Sequence, residues 1–298
     1  MAEILNIVGL TKYYGHVHAV DNLDLNISEG QVYGVLGPNG SGKTTTLSVV
    51  LGTVRPTRGQ FQWFDSSSLK EVRKKIGIVT ETSSFYPYLS GYQNLKLIAE
   101  IKECDKNRIL KVLELAGLFE RRNHSFRNYS FGMKQRLSFA AALLPDPDVL
   151  VLDEPTNGMD PQGIHDVREL ILQASSEGKT IILASHLLDE VQKVCSHVAV
   201  IQKGKKIFDG AVEKILEDEN QVVIEADDVV KLEKALAEFK GIRSSQKVGK
   251  KIVVELHPGP EIHDLHKHLI DGGVLITQFS ENKATLESKF LELLNQSK

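Results

Sequence analysis

The octapeptide Gly37-Pro38-Asn39-Gly40-Ser41-Gly42-Lys43-Thr44 constrains this chain more than any other feature. It has the form GxxxxGK[ST]. It stands between a short apolar strand, Gln31 to Leu36, and a helical segment, Thr44 to Leu51, closed by Gly52. A loop of this kind between a strand and a helix is built to hold phosphate. The glycines let the backbone turn tightly with its N–H groups pointing inward. The positive end of the following helix adds to the attraction for an anion. Lys43 reaches the outer phosphates as a point charge. Thr44 offers its hydroxyl to Mg²⁺, a hard ion that prefers oxygen. The phosphate-binding set expected here is Gly37, Pro38, Asn39, Gly40, Ser41, Gly42, Lys43, Thr44 and Thr45.

A second feature belongs with the first. The apolar strand Val149 to Leu152 ends in Asp153-Glu154. Buried acids are costly unless paired or bound to a metal. An apolar strand that delivers a carboxylate beside a phosphate loop is how such folds hold Mg²⁺, and that is the role expected of Asp153, through water. Successive strand residues point to opposite sides. Glu154 is therefore placed to polarise a water as general base. The bland alternative, two acids that merely open a loop before Pro155, is disfavoured by the phosphate loop.

Around these motifs the pattern alternates between strand and helix. Ile4 to Leu10 is apolar-rich, and Leu23, Leu25 and Ile27 alternate with Asp24 and Asn26, the period-two pattern of a half-buried strand. Phe61 and Trp63 alternate in another short strand. A helical section follows, with helices at Asn107 to Leu118, for which Asp105 is the expected N-cap, and at Phe131 to Leu144, stopped by Pro145. Strands at Thr180 to Ala184 and His197 to Gln202 then alternate with helices starting at Asp160-Pro161 and Leu187. This predicts an α/β fold, a largely parallel sheet with helices on its faces. A boundary falls near 211–220, where Glu217-Asp218-Glu219-Asn220 ends a short helix. Beyond it comes a strand (Gln221 to Glu225), a helix (Val229 to Phe239), a hairpin around Gly249, a helix (Glu261 to Ile270), a strand (Val274 to Phe279) and a last helix from Thr285. That βαββαβ order predicts a small ferredoxin-like α+β domain.

Composition narrows the function. With 298 residues, 41% hydrophobic and 25% charged, the chain has enough apolar residues to bury a core, which excludes a mainly disordered chain or a coiled-coil rod. A formal charge of −3 does not favour affinity for nucleic acid. Cys104 and Cys195 stand far apart in no CxxC pattern, as expected of two reduced thiols in a cytoplasmic protein. No apolar run reaches the roughly 20 residues of a membrane span, and Met1 to Leu10 lacks the basic start of a signal peptide.

Three further segments complete a pattern: Tyr129-Ser130-Phe131-Gly132-Met133-Lys134-Gln135-Arg136, then Asp153 to Pro161, then Ala184-Ser185-His186. In that order and spacing, residues 4 to about 215 resemble the nucleotide-binding subunit of an ABC transporter. The resemblance implies a P-loop NTPase core with an antiparallel β subdomain and a helical insert at about 86–145. It gives domains at 1–215 and 216–298. It implies ATP and Mg²⁺ as ligands, with Tyr14 stacking on adenine, Glu154 and His186 catalytic, and Thr44, Asp153 and Glu81 around the metal. It places Ser130, Gly132 and Asp160 against the ATP of a second subunit, so that two chains close on two ATPs. It also implies a separate integral membrane permease as partner and a peripheral place on the cytoplasmic side of the membrane. The weaker resemblance of the tail is to subunits of export systems. A soluble ABC ATPase without a permease is the alternative.

Three residues depart from the family pattern. Glu81 replaces the usual glutamine, Phe131 replaces a glycine of the signature, and Met133 replaces its glutamine. Phe85 or Tyr86, beside Glu81, is expected to touch the permease; local packing is the alternative. The tail also holds His257, and its histidines His263, His266 and His268, close together on one predicted helix, read as a solvated helix face rather than a metal site.

Overall fold

The alternation at Leu23, Leu25 and Ile27 becomes a strand with one buried face: all three are buried, and Asp24 and Asn26 between them are exposed. They belong to Val17–Ser28, which pairs antiparallel with Glu3–Tyr14; Arg58–Trp63 pairs antiparallel with the other edge of Glu3–Tyr14. The computed structural model describes residues 2–64, 66, 68–81, 84–216, 221–257, 262–282 and 285–296.

The second sheet has six strands in the order Ile76–Val79, Val149–Asp153, Thr180–Ser185, Val32–Leu36, His197–Gln202, Lys205–Ala211. The first five are parallel and the last is antiparallel. Val32–Leu36 and Thr180–Ser185 are buried at every position, as strands covered on both faces must be. Register brings the site together. Leu36 pairs with Ser185, and Asp153 pairs with Ala184. The phosphate loop, the acidic pair and His186 therefore leave the sheet at one edge, the C-terminal ends of parallel strands, where α/β folds bind ligands.

The helical insert contains Gly91–Lys102, Arg108–Leu115 and Phe131–Leu143. The first of these was not expected from periodicity; its signal is a capping box, in which Ser90 Oγ accepts from the Gln93 N–H and the Gln93 side chain accepts from the Ser90 N–H. Asp105 is not an N-cap. The second helix starts after Asn107 with no side-chain cap, and Asp105 Oδ1 accepts instead from the Asn107 N–H at 2.9 Å, holding the turn before the helix.

The chain divides into two compact units, Met1–Val212 with Phe290–Lys298, and Glu213–Lys289. The second has an antiparallel sheet in the order Ile242–Val248, Lys251–Leu256, Gln221–Ala226, Ile276–Asn282, with its own core around Val222, Ile224, Val254, Leu265 and Leu269. Of the boundary expected near 211–220, the stretch Glu217 to Asn220 lies outside the described residues, as does the expected helix start at Glu261. The solvated histidine face is corrected in part. His263 is exposed, but His266 packs its ring 4.5 Å from that of Phe279, and His268 Nε2 lies 3.0 Å from the Ala235 carbonyl. Among the described residues no cluster of three His, Cys, Asp or Glu is arranged to hold a metal.

Candidate functional site

The strand Val32–Leu36 runs into the loop, and the loop into the helix Lys43–Val50. Gly42 sits at φ 111°, and a Cβ there would lie 2.2 Å from the Ala19 carbonyl oxygen; only glycine fits. At Gly37 a Cβ would lie 2.3 Å from both the Ile201 carbonyl oxygen and Ser41 Oγ. Lys43 is 5% exposed. Its ammonium donates to the Gly37 carbonyl at 2.8 Å and lies 3.4 Å from Glu154 Oε1. Ser41 is 3% exposed, and its Oγ is a buried side-chain polar atom with no hydrogen-bond partner among the described residues. Buried polar groups are normally paired, so an orphan hydroxyl inside this loop marks a place for an acceptor.

At the adjoining strand end, Thr44 Oγ1 donates to Asp153 Oδ1 at 3.2 Å. Burial raises the pKa of Asp153 above the usual carboxylate range, and the charges of Glu154 and Glu81 push the same way, against the Thr44 hydrogen bond and the Lys43 charge. A half-buried carboxylate set among like charges is a group that a divalent cation would stabilise. Glu154 adopts φ 49°, a left-handed backbone rare for a non-glycine residue, while its N–H donates to the Ala184 carbonyl at 2.9 Å. Its Oε2 lies 2.7 Å from His186 Nδ1, the distance at which the ring N–H donates to the carboxylate. Such backbone strain costs about 1–3 kcal/mol and persists where the surroundings enforce it. Here it turns the carboxylate towards Lys43 and His186. Glu81 Oε1 accepts from Asn157 Nδ2 at 2.8 Å.

Except for Asp153, which meets the site through its bond to Thr44, these groups border a cavity of about 530 Å³ that also takes in Asn39, Gly40, Thr45, Tyr14, Val17 and Ala19. Tyr14 is 50% exposed. Gly37 and Pro38 are not in its lining; their carbonyls hold the Lys43 ammonium. The remaining expected residues go elsewhere. Ser130, Gly132 and Asp160 line a separate cavity of about 350 Å³ that shares no residue with the first. Ser130 Oγ caps its helix by accepting from the Met133 N–H at 3.3 Å, and Asp160 Oδ1 caps the helix Pro161–Ser176 by accepting from the Gly163 N–H at 2.8 Å.

The donor set fits a nucleoside triphosphate with Mg²⁺: a buried ammonium and an orphan hydroxyl for phosphate, and hydroxyl and carboxylate oxygens for a hard cation. A family model described as ABC transporter matches residues 20–157. The bacitracin transport ATP-binding protein BcrA of Bacillus licheniformis is 35% identical, over 99% of this chain and 98% of its own length. The chain belongs to the ABC transporter ATP-binding proteins.

Another relative, the Nod factor export ATP-binding protein I of Cupriavidus metallidurans, is 34% identical over 98% of each chain. Among solved structures, cbiO1 of Clostridium perfringens, part of the ABC transporter complex cbiONQ, matches with a TM-score of 0.66 and 29% identity over 73% of this chain and 92% of its own. A dimeric ATP-binding cassette in a post-hydrolysis state with ADP and phosphate matches with a TM-score of 0.65 and 25% identity over 70% of this chain and 99% of its own. ATP hydrolysis is the general reaction of this ABC family.

Sequence reasoning gave no role to three residues of this ABC cassette. Asn157 holds Glu81; it stood inside a quoted motif, but no spacing rule ties it to Glu81. Gln135 is 1% exposed and donates to the Pro155 carbonyl at 3.2 Å, tying the signature helix to the acidic strand end. Val17 faces Tyr14 across their hairpin, and Gly15 between them was the available signal. Phe85 is corrected towards the packing alternative: it is half-buried, with its ring 5.1 Å from that of Phe126, while Tyr86 and Tyr88 are 49% and 68% exposed.

Proposed function

We propose that this chain is the ATP-hydrolysing subunit of an ABC exporter, working as a pair of copies that close on ATP and drive a separate membrane permease from its cytoplasmic side. The observation that carries this reading is the split site. The phosphate loop from Asn39 onward, Glu154 and His186 border one cavity, with Asp153 bonded to Thr44 of its lining, while Ser130 and Gly132, at the start of a 13-residue helix, border a cavity with no shared residue. A helix N-terminus offers N–H donors to an anion. An anion bound at the loop can meet that second set only if another copy presents it.

Lys43 and the loop N–H groups hold the phosphates, and Tyr14 with Val17 forms an apolar platform for the base. Thr44 and Asp153, with Glu81 nearby, are the residues that would hold Mg²⁺. When bound, the cation neutralises charge on the phosphoryl oxygens. Glu154 accepts a proton from the water that attacks the terminal phosphorus, as the bond from that phosphorus to the bridging oxygen breaks. His186 fixes the orientation of the Glu154 carboxylate. Closure draws its energy from tighter ATP binding by the closed pair than by the open chains.

The permease and the export direction are supported by relatives named for bacitracin transport and Nod factor export over nearly the whole chain. Those names favour a permease-coupled subunit over a soluble ABC ATPase. Among the described residues no helix is long and apolar enough to cross a membrane, so a permease would supply the passage. Tyr86 and Tyr88 are exposed rings of the helical insert available to it. The test is Glu154→Gln. Turnover is expected to fall by about 10²–10⁴-fold with ATP binding retained, the range for loss of a general base. Undiminished turnover would remove Glu154 from that role.

A further inference from the structure

The ring of Tyr14 is held by a neighbour to which the catalytic reading gives no role. Lys12 Nζ lies 5.0 Å from the centroid of the Tyr14 ring. The same ammonium donates to the Arg55 carbonyl at 2.9 Å, so the cation is fixed at both ends of its reach. Two more bonds pin this stretch of backbone to the following turn: the Tyr13 N–H donates to Thr57 Oγ1 at 3.1 Å, and the Thr57 N–H donates to the Thr11 carbonyl at 2.8 Å. Tyr13 is stacked on His18 with centroids 4.1 Å apart. Tyr14 is left half-exposed, and it lines the cavity that the phosphate loop also borders.

We propose that Lys12 is a positioning residue for the nucleobase: its anchored ammonium holds the Tyr14 ring in the orientation that receives a planar base. This rests on the nucleotide reading above. A ring ordered in advance loses less freedom when the base stacks on it, so the contribution belongs to the base and not to the phosphates. A cation over an exposed ring is worth an equilibrium factor of about two to five, which bounds what holding the ring adds to base affinity.

The experiment is calorimetric titration of the full chain, in Mg²⁺, with ATP and separately with inorganic tripolyphosphate, which has no base. Lys12→Met is expected to weaken ATP binding by about two- to five-fold. It should leave tripolyphosphate binding unchanged, and Lys12→Arg should restore the ATP affinity. In a Tyr14→Ala background Lys12→Met should have no further effect. Equal loss for both ligands would make Lys12 a phosphate-attracting charge and overturn the proposal. ATP affinity unchanged in Lys12→Met, or an effect that persists without Tyr14, would do the same. A wild-type chain that fails to bind ATP, or binds tripolyphosphate as tightly, would instead overturn the nucleotide reading itself.

Discussion

At the scale of single residues, the site depends on a carboxylate held between two partners. Glu154 reaches Lys43 at 3.4 Å and His186 at 2.7 Å, on a backbone at φ 49°. Its side chain is 12% exposed and that of His186 36%, so the histidine forms the solvent-facing side of the pair. Removing the imidazole frees the carboxylate to rotate without taking away the base or the phosphate contacts. His186→Ala is therefore expected to lower turnover by about 10-fold or more, a loss of positioning, while the ATP dissociation constant moves little. A steady-state assay beside a binding titration separates the two effects. The placement of Lys43, Thr44, Asp153 and Glu154 at one site was legible in the sequence because each stands at a fixed offset from a strand end. The Glu81–Asn157 bond was not, because it joins residues far apart in sequence whose approach depends on how the sheet is ordered.

At the scale of elements, one of the ties between the helical insert and the parallel sheet is the turn at Asp146. Asp146, at φ 56°, receives Lys179 Nζ at 2.9 Å and Arg108 Nη2 at 3.1 Å. Arg108 opens an insert helix and also donates to the Leu144 carbonyl at 3.1 Å. The Lys179 hydrogen bond and charge, helped by Arg108, hold the Asp146 carboxyl below its usual range against the opposing effect of burial. A depressed carboxylate stabilises the fold fully above its unfolded pKa, near 3.8, and that contribution is lost as pH falls through the lower folded value. Asparagine tolerates left-handed backbone, so Asp146→Asn isolates the charge. The variant should be less stable at neutral pH by roughly 0.2–1 kcal/mol, as for partly exposed ion pairs, and the gap should narrow as pH falls below about 4 and close below the lower folded value. Urea unfolding across that range measures it; a gap independent of pH would remove the charge from the account. Strands were readable where burial alternates or runs unbroken. The helix Gly91–Lys102 was not, because only Gly91, Asn94, Leu95 and Ala99 are buried along it, too narrow a stripe to stand out from its polar neighbours.

At the scale of the whole molecule, the chain has two compact units, and Glu213–Lys289 buries a core of its own. The βαββαβ order was legible because each element is short and bounded by turns. A use for this unit was not, because its histidines are partly spent on packing. ATP and Mg²⁺ bind one unit only in this account, so scanning calorimetry should resolve two transitions, with ligand raising one of them. Ligand at about 100 times its dissociation constant adds about 2.7 kcal/mol to that unit. A single transition that moves as a whole would contradict independent units. The same division bears on assembly, because the loop cavity and the Ser130 cavity both lie within Met1–Val212 and share no lining residue. The most direct measurement is the solution mass of Glu154→Gln by light scattering, with and without ATP. The account predicts a single chain without ATP, a doubled mass with it, and no doubling when Ser130 is also changed to Arg. A chain saturated with ATP that keeps the mass of one copy would contradict it.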